Sequence, residues 1–182
     1  MKRFLFIALL IAFTQNLYSQ KTGSIAPGLG LTANYGSGAM GIGLEGWISE
    51  KNVIIPSVAF QYYDIDNRMV IDYGFGIAFR HHFSRDKLKP FFTLGGNLAT
   101  RTFDEDTGKE DINFWGVFTG FGAQYFLSDK FSVGFQVGID YTYRPAANPE
   151  SINIGNQIIT TMQDPEQTTI GIMRSIFATF YF

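Results

Sequence analysis

The chain has 182 residues, a formal net charge of −2 and no cysteine. The absence of thiols excludes disulfides, thiolate metal sites and a lipid-modified N-terminus, and the absence of a basic run leaves nothing to hold a nucleic acid. Aromatic residues make up 16% of the chain while mean hydropathy is only +0.04, too low for a bundle of membrane helices and what amphipathic strands average to on a sliding window.

Residues 1–19 read as a signal peptide. Lys2 and Arg3 precede an apolar run from Phe4 to Phe13, and Ser19 suits the position before cleavage. The run is well short of the ~20 apolar residues that a membrane-spanning helix needs. Residues 20–182 are then expected to form one domain.

From there the chain alternates with period two, large apolar residues on one face and glycine or polar residues on the other. A first strand is expected over 24–34, setting Leu29, Leu31 and Ala33 against Gly30, Thr32 and Asn34, with a tight turn at 35–38. The second, 39–49, sets Met40, Ile42 and Leu44 against Gly41, Gly43, Glu45 and Trp47. The third, 53–63, sets Ile54, Val58, Phe60 and Tyr62 against Ser57, Ala59 and Gln61. The fourth, 69–83, sets Tyr73, Phe75, Ile77 and Phe79 against Asp72, Gly74, Gly76, Arg80 and His82.

A charged turn from Ser84 to Lys89 leads to a fifth strand, 90–100. Residues 101–113, with Asp104, Glu105, Asp106, Glu110 and Asp111, are expected to be a loop. The sixth strand, 114–126, sets Trp115, Val117, Phe121 and Tyr125 against Gly116, Gly120, Gly122 and Gln124. The seventh, 131–143, is the clearest: Phe131, Val133, Phe135, Val137, Ile139 and Tyr141 alternate with Ser132, Gly134, Gln136, Gly138 and Asp140. A long polar connection follows from Arg144 to Gln167, and an eighth strand covers 168–182.

These segments match the ~9–11 tilted residues that a membrane barrel strand needs. Aromatics on the apolar face and Gly and Gln on the polar one place lipid outside and a lumen inside. The expected fold class is all-β: an eight-stranded antiparallel up-and-down transmembrane β-barrel. Short turns belong to the periplasmic end, which places both termini there. Tyr62, Tyr73, Trp115, Tyr141 and Tyr143 then form an outer aromatic belt, and Phe79, Phe83, Phe92, Tyr125, Phe131 and Phe182 an inner one.

The signal peptide, the eight amphipathic strands, the turn at Ser128-Asp129-Lys130, the Lys89-Pro90-Phe91-Phe92 start of a strand and the terminal Phe182 together resemble the small outer-membrane β-barrel proteins. The nearest type is the transmembrane domain of outer-membrane protein A and its short relatives. The resemblance covers residues 20–182. It implies a place in a Gram-negative outer membrane, contact with lipid and lipopolysaccharide, and recognition of the last strand by the barrel-assembly machinery through Ile176, Phe180 and Phe182.

An eight-stranded barrel is narrow enough for side chains to fill it, and a charge inside is costly unless paired. A polar network of Glu45, Asp72, Arg80, Gln124, Gln136, Asp140 and Arg174 is therefore expected. Glu45 pairs with Arg80 in a lower layer, and Asp72 and Asp140 meet arginines in an upper one, with Gln61 and Asn97 filling the remaining sites. Arg101 and Arg144 lie near the outer strand ends. Arg174 shares its face with Ile172 and Ile176, where an arginine near the midplane costs about 2–4 kcal/mol, so either a bulge turns it inward toward Asp140, the favoured reading, or it snorkels to the outer-leaflet phosphates.

Catalytic motifs are weak. Residues 36–41 match a dinucleotide fingerprint by letter but lie in a hairpin with no helix N-terminus to hold a pyrophosphate. His82-Phe83-Ser84 resembles the His-x-Ser pair of the lipid A deacylase, yet Arg85 and Asp86 depart from that pattern and the segment lies at the periplasmic rim. His81 and His82 point to opposite faces and form no metal pair. No cofactor, metal or catalytic residue is expected. The expectation is a non-enzymatic barrel with a plugged lumen, structural in the envelope or presenting loops to an external partner whose identity the sequence leaves open. The alternatives are a narrow channel or carrier for small hydrophobic molecules, marked by a lateral opening or an unplugged lumen, and a lipid A-modifying hydrolase.

Overall fold

The computed structural model describes residues 28–36, 39–65, 68–105, 108–146, 151–154, 157–160 and 166–182. The expected signal peptide, the start of the first strand and the turn at 37–38 lie outside them. The strands are β1 (Leu29–Gly36), β2 (Ala39–Trp47), β3 (Asn52–Ile65), β4 (Arg68–His82), β5 (Leu88–Glu105), β6 (Gly108–Ser128), β7 (Phe131–Arg144), β8 (Ser151–Ile154), β9 (Gln157–Thr160) and β10 (Gln167–Tyr181). Eight of these close an antiparallel up-and-down barrel in the order β1-β10-β7-β6-β5-β4-β3-β2, while β8 and β9 form a separate hairpin. The last strand seals the first, with Phe180 opposite both Leu31 and Phe131.

Period two explains the two faces. Met40, Phe60, Phe75, Leu98, Phe121, Phe135, Ile139 and Ile172 stand exposed on the outer wall, an apolar surface far larger than water tolerates on a monomer. Lipid is the solvent that accepts it. Trp115 touches Tyr141 and Tyr143 on this face at the loop end, with ring centroids 5.8 and 5.6 Å apart. Ile176, Phe180 and Phe182 are also exposed on it.

Two stretches expected to be loops are partly strand. β5 runs on to Glu105 and β6 begins at Gly108, paired throughout up to Glu105 opposite Gly108. Polar cross-strand pairs replace apolar ones here: Thr100 donates to Asn113 at 2.8 Å and Thr102 to Asp111 at 2.7 Å. The phase of the pattern is reversed here, with polar residues on the outer face and Ile112 buried on the inner one, so the apolar-out alternation of the membrane strands does not continue into it. The connection from Arg144 to Gln167 likewise contains the β8–β9 hairpin.

The bulge expected at Arg174 does not form. β10 pairs β7 without a register shift from Gln167 opposite Arg144 to Phe180 opposite Phe131, and Arg174 is exposed on the outer face between Ile172 and Ile176. Strict alternation outweighs the charge, and a long aliphatic stem lets a guanidinium reach the interface. Since the site is level with the tip of the β1–β2 hairpin, Arg174→Leu is expected to stabilise the barrel by only about 1 kcal/mol. Urea unfolding in lipid vesicles would measure this.

The wall is uneven in height. β1 and β2 have 8 and 9 residues, whereas β5 and β6 have 18 and 21. β2 pairs β3 only as far as Met40 opposite Phe60, and β1 pairs β10 only as far as Gly36 opposite Ser175. Residues 61–65 of β3 and 167–174 of β10 continue past the hairpin tip. Among the described residues no strand pairs with them on that side, so the wall has a notch there.

Candidate functional site

The inward side chains form a packed floor at the end that carries the short turns and the C-terminus. Glu45 on β2 is fully buried and accepts three hydrogen bonds, from Arg80 Nη1 at 2.8 Å, Thr179 Oγ1 at 3.0 Å and Tyr181 Oη at 2.6 Å, with Gln124 Nε2 3.3 Å away. Arg80 on β4 lies between two rings, 4.4 Å from the centroid of Phe91 and 4.3 Å from that of Phe177. Its Nη1 also donates to Gln124 Oε1 at 3.3 Å. The Gln124 amide donates to Ser132 and to Tyr181 at 2.8 and 2.7 Å. A buried ion pair is tolerable when most of its remaining hydrogen-bonding capacity is taken up in this way, and here Arg80 Nε is the atom of the pair left buried without a hydrogen bond among the described residues.

One layer nearer the rim, Trp47 stacks on His82 with centroids 4.8 Å apart, and Phe126 stacks on Tyr181 at 5.6 Å. Lys89 Nζ lies over Trp47 and Phe126, 4.7 and 4.8 Å from the centroids. His82 Nε2 is 3.0 Å from Gln124 Oε1. Because that amide oxygen can only accept, Nε2 carries the hydrogen.

Sequence reasoning missed several of these members. Lys89 falls in the charged turn by sequence, yet it is 1% exposed. Thr179, Tyr181 and Ser132 sit on the polar face of their strands but carry no charge to draw notice. Their parity with Phe177 and Gly134 is the signal that finds them.

Toward the other end the expected upper layer is only partly built. Asp72 pairs with Arg101 across β4 and β5 through two bonds of 2.8 and 2.7 Å. Asp140 does not meet an arginine: among the described residues no hydrogen bond or ion pair reaches its carboxylate, and Arg174, its expected partner, faces outward. Gln136 reaches only Met173 Sδ, at 3.6 Å. Gln61, Asn97, Gln136 and Asp140 instead line a cavity of about 340 Å³. The many inward glycines give this half too little side-chain volume to fill it.

The His-x-Ser pair is not assembled. Ser84 Oγ donates to Asp86 at 2.8 Å while His82 is held by Gln124, and His81 lies 2.7 Å from Asn52 Oδ1. Among the described residues no group of three His, Asp or Glu side chains is placed to hold a metal.

No family model matches the chain, and no curated protein does. Solved structures do. The N-terminal β-barrel domain of OprF from Pseudomonas aeruginosa aligns with a TM-score of 0.55 at 13% identity, over 85% of this chain and 95% of that one. Neisserial surface protein A gives 0.53 at 12% identity, over 85% and 94%. A major outer membrane protein from Thermus thermophilus gives 0.51 at 12%, over 86% and 100%. At such identities the likeness is one of architecture, and it agrees with the strand order, the apolar outer wall and the polar interior. The chain has the fold of the small eight-stranded outer-membrane β-barrels.

Proposed function

We propose that this chain is a non-enzymatic integral protein of a bacterial outer membrane, with a lumen plugged at its turn end, that supports the envelope or presents its long connections outside. The observation that carries this reading is the floor of Glu45, Arg80, Gln124 and Tyr181, in which each side chain is held by the others. A continuous path for ions would have to break a buried ion pair, at a cost of about 3–5 kcal/mol.

The outer-membrane location is supported by the apolar wall and by the three solved structures of the same fold. Export through a cleaved signal peptide fits Lys2, Arg3 and the apolar run after them. The partners would be outer-membrane lipid and lipopolysaccharide around the wall, and the assembly machinery acting on Ile176, Phe180 and Phe182 during biogenesis. An external partner would meet the β5–β6 ribbon or the connection between β7 and β10.

Two measurements on the refolded mature chain test the reading. An unheated sample is expected to migrate faster than a boiled one on a gel, and the same sample in a planar bilayer is expected to give no steady conductance. Conductance that rises further in Arg80→Gln or Glu45→Gln would replace the plug with a gated pore. A water-soluble folded chain with no mobility shift would remove it from the membrane.

A further inference from the structure

We propose that the notch between β3 and β10 is a side opening into the upper lumen, through which a single-chain amphiphile with an ammonium head binds, its head on Asp140 and its chain along the outer wall at Met40, Phe60 and Ile172. This goes beyond the plugged-barrel reading and takes up the carrier alternative, with an amphiphile in place of a wholly apolar molecule.

Three independent features of the wall meet at this place. First, the notch exposes backbone edges on both sides, residues 61–65 and 167–174, above a hairpin only 8 and 9 residues long. These edges border a cavity: the residues at the foot of the notch, Gly36, Gln61, Arg174 and Ser175, belong to its lining.

Second, the wall on the far side of the lumen stands higher. Val70 and Ile112 are buried toward the loop end of β4 and β6, and the Asp72–Arg101 pair ties β4 to β5 beside them. The floor closes the opposite end, which leaves the low wall at β1–β2 as the break in the described barrel.

Third, the carboxylate of Asp140 leans toward that break. Asp140 lies opposite Gly171 in the β7–β10 ladder, and a Cβ at Gly171 would be 2.9 Å from Asp140 Oδ1 and 3.0 Å from Oδ2. The acid therefore lies across the strand whose free edge forms one side of the notch, in space that only glycine leaves. No donor among the described residues satisfies it. An ammonium group supplies the charge and hydrogen bonds that it lacks, and the amides of Gln136 and Gln61 offer further acceptors. Met40, Phe60 and Ile172, exposed on the outer wall beside the notch, accept the apolar chain.

The test uses the full refolded chain in nonionic detergent micelles with two photoreactive probes, dodecylamine and dodecanol, each carrying a diazirine at the chain end. The amine is expected to label Met40, Phe60 or Ile172 several-fold above Phe75, Leu98 and Val117 on other strands, and the alcohol to label all of these alike. Asp140→Asn is expected to abolish the preference, bringing the amine down to the even labelling of the alcohol. Gly171→Val, which displaces the carboxylate, is expected to do the same, with the mobility shift on boiling showing that both variants fold. Even labelling by the amine around the barrel would overturn the side opening, and preferential labelling that survives Asp140→Asn would overturn the head-group assignment. The conductance test of the floor is separate, because the notch and cavity lie above it, so either reading can fail alone.

Discussion

Replacing Glu45 by alanine is expected to destabilise the folded barrel by about 3–5 kcal/mol, because it leaves Arg80 buried without its counter-ion. The loss also strands the hydroxyls of Thr179 and Tyr181, which donate to Glu45 at 3.0 and 2.6 Å. Glu45→Gln keeps one carbonyl acceptor in nearly the same place and should cost less. The double variant Glu45→Leu with Arg80→Met should be more stable than the sum of the single losses predicts, because no charge is left uncompensated. Methionine can also keep contact with the rings of Phe91 and Phe177 that now flank Arg80. Equilibrium urea unfolding of these proteins in lipid vesicles measures all of this. A loss below about 1 kcal/mol for Glu45→Ala, the range of exposed ion pairs, would mean that Arg80 reaches water and that the floor is open.

The second large effect concerns how closely β6 and β7 approach. Gly138 lies opposite Gly120, and a Cβ on Gly138 would overlap the carbonyl oxygen of Thr119 and come within 2.7 Å of Gly120 Cα. The obstacle is backbone, which cannot rotate away. Gly138→Val is therefore expected to lower stability by at least about 1–3 kcal/mol, the usual cost of overpacking, and to reduce the yield of folded barrel. Gly96→Ala is the control. Its nearest neighbour is the Gly116 carbonyl oxygen at 3.2 Å, with Val117 next at 3.8 Å, and the backbone entropy saved by alanine, about 0.5–1 kcal/mol, offsets a small adjustment. Comparing the fast-migrating band of unheated samples after refolding separates the two. Equal yields would show that the strands can part by the width of a methyl group.

Much of the barrel is legible in the sequence because its pattern depends on neighbours along the chain. Phe131 to Tyr143 states its two faces outright, and the same alternation sets Glu45 and Arg80 on inward faces and Ile176, Phe180 and Phe182 on the outer one. Legibility fails where the pattern changes phase. Thr102 and Asp111 pair across β5 and β6 while Ile112 between the polar pairs is buried, and their stretch reads as a loop because the apolar-out alternation stops before it. Lys89 escapes notice for the opposite reason. Its charge suggests a turn, whereas its ammonium is held over the rings of Trp47 and Phe126, contributed by β2 and β6.

Arg174 and Asp140 show where reasoning from charge alone misleads. The cost of an outward arginine suggests a bulge, yet a bulge would disrupt a ladder that pairs residues continuously from Gln167 to Phe180. The ladder prevails, so Arg174 stays outside and Asp140 loses its expected partner.

A period of two needs only adjacent residues, so the eight barrel strands, the two faces of each and the inward placement of the Glu45–Arg80 pair follow from the chain read in order. Which inward groups meet, how far each strand stays paired, and that the upper lumen is a cavity beside a low wall emerge only once the strands are brought together. Those outcomes depend on the register between strands distant in sequence and on the volume left by glycines facing one another, which no local pattern records.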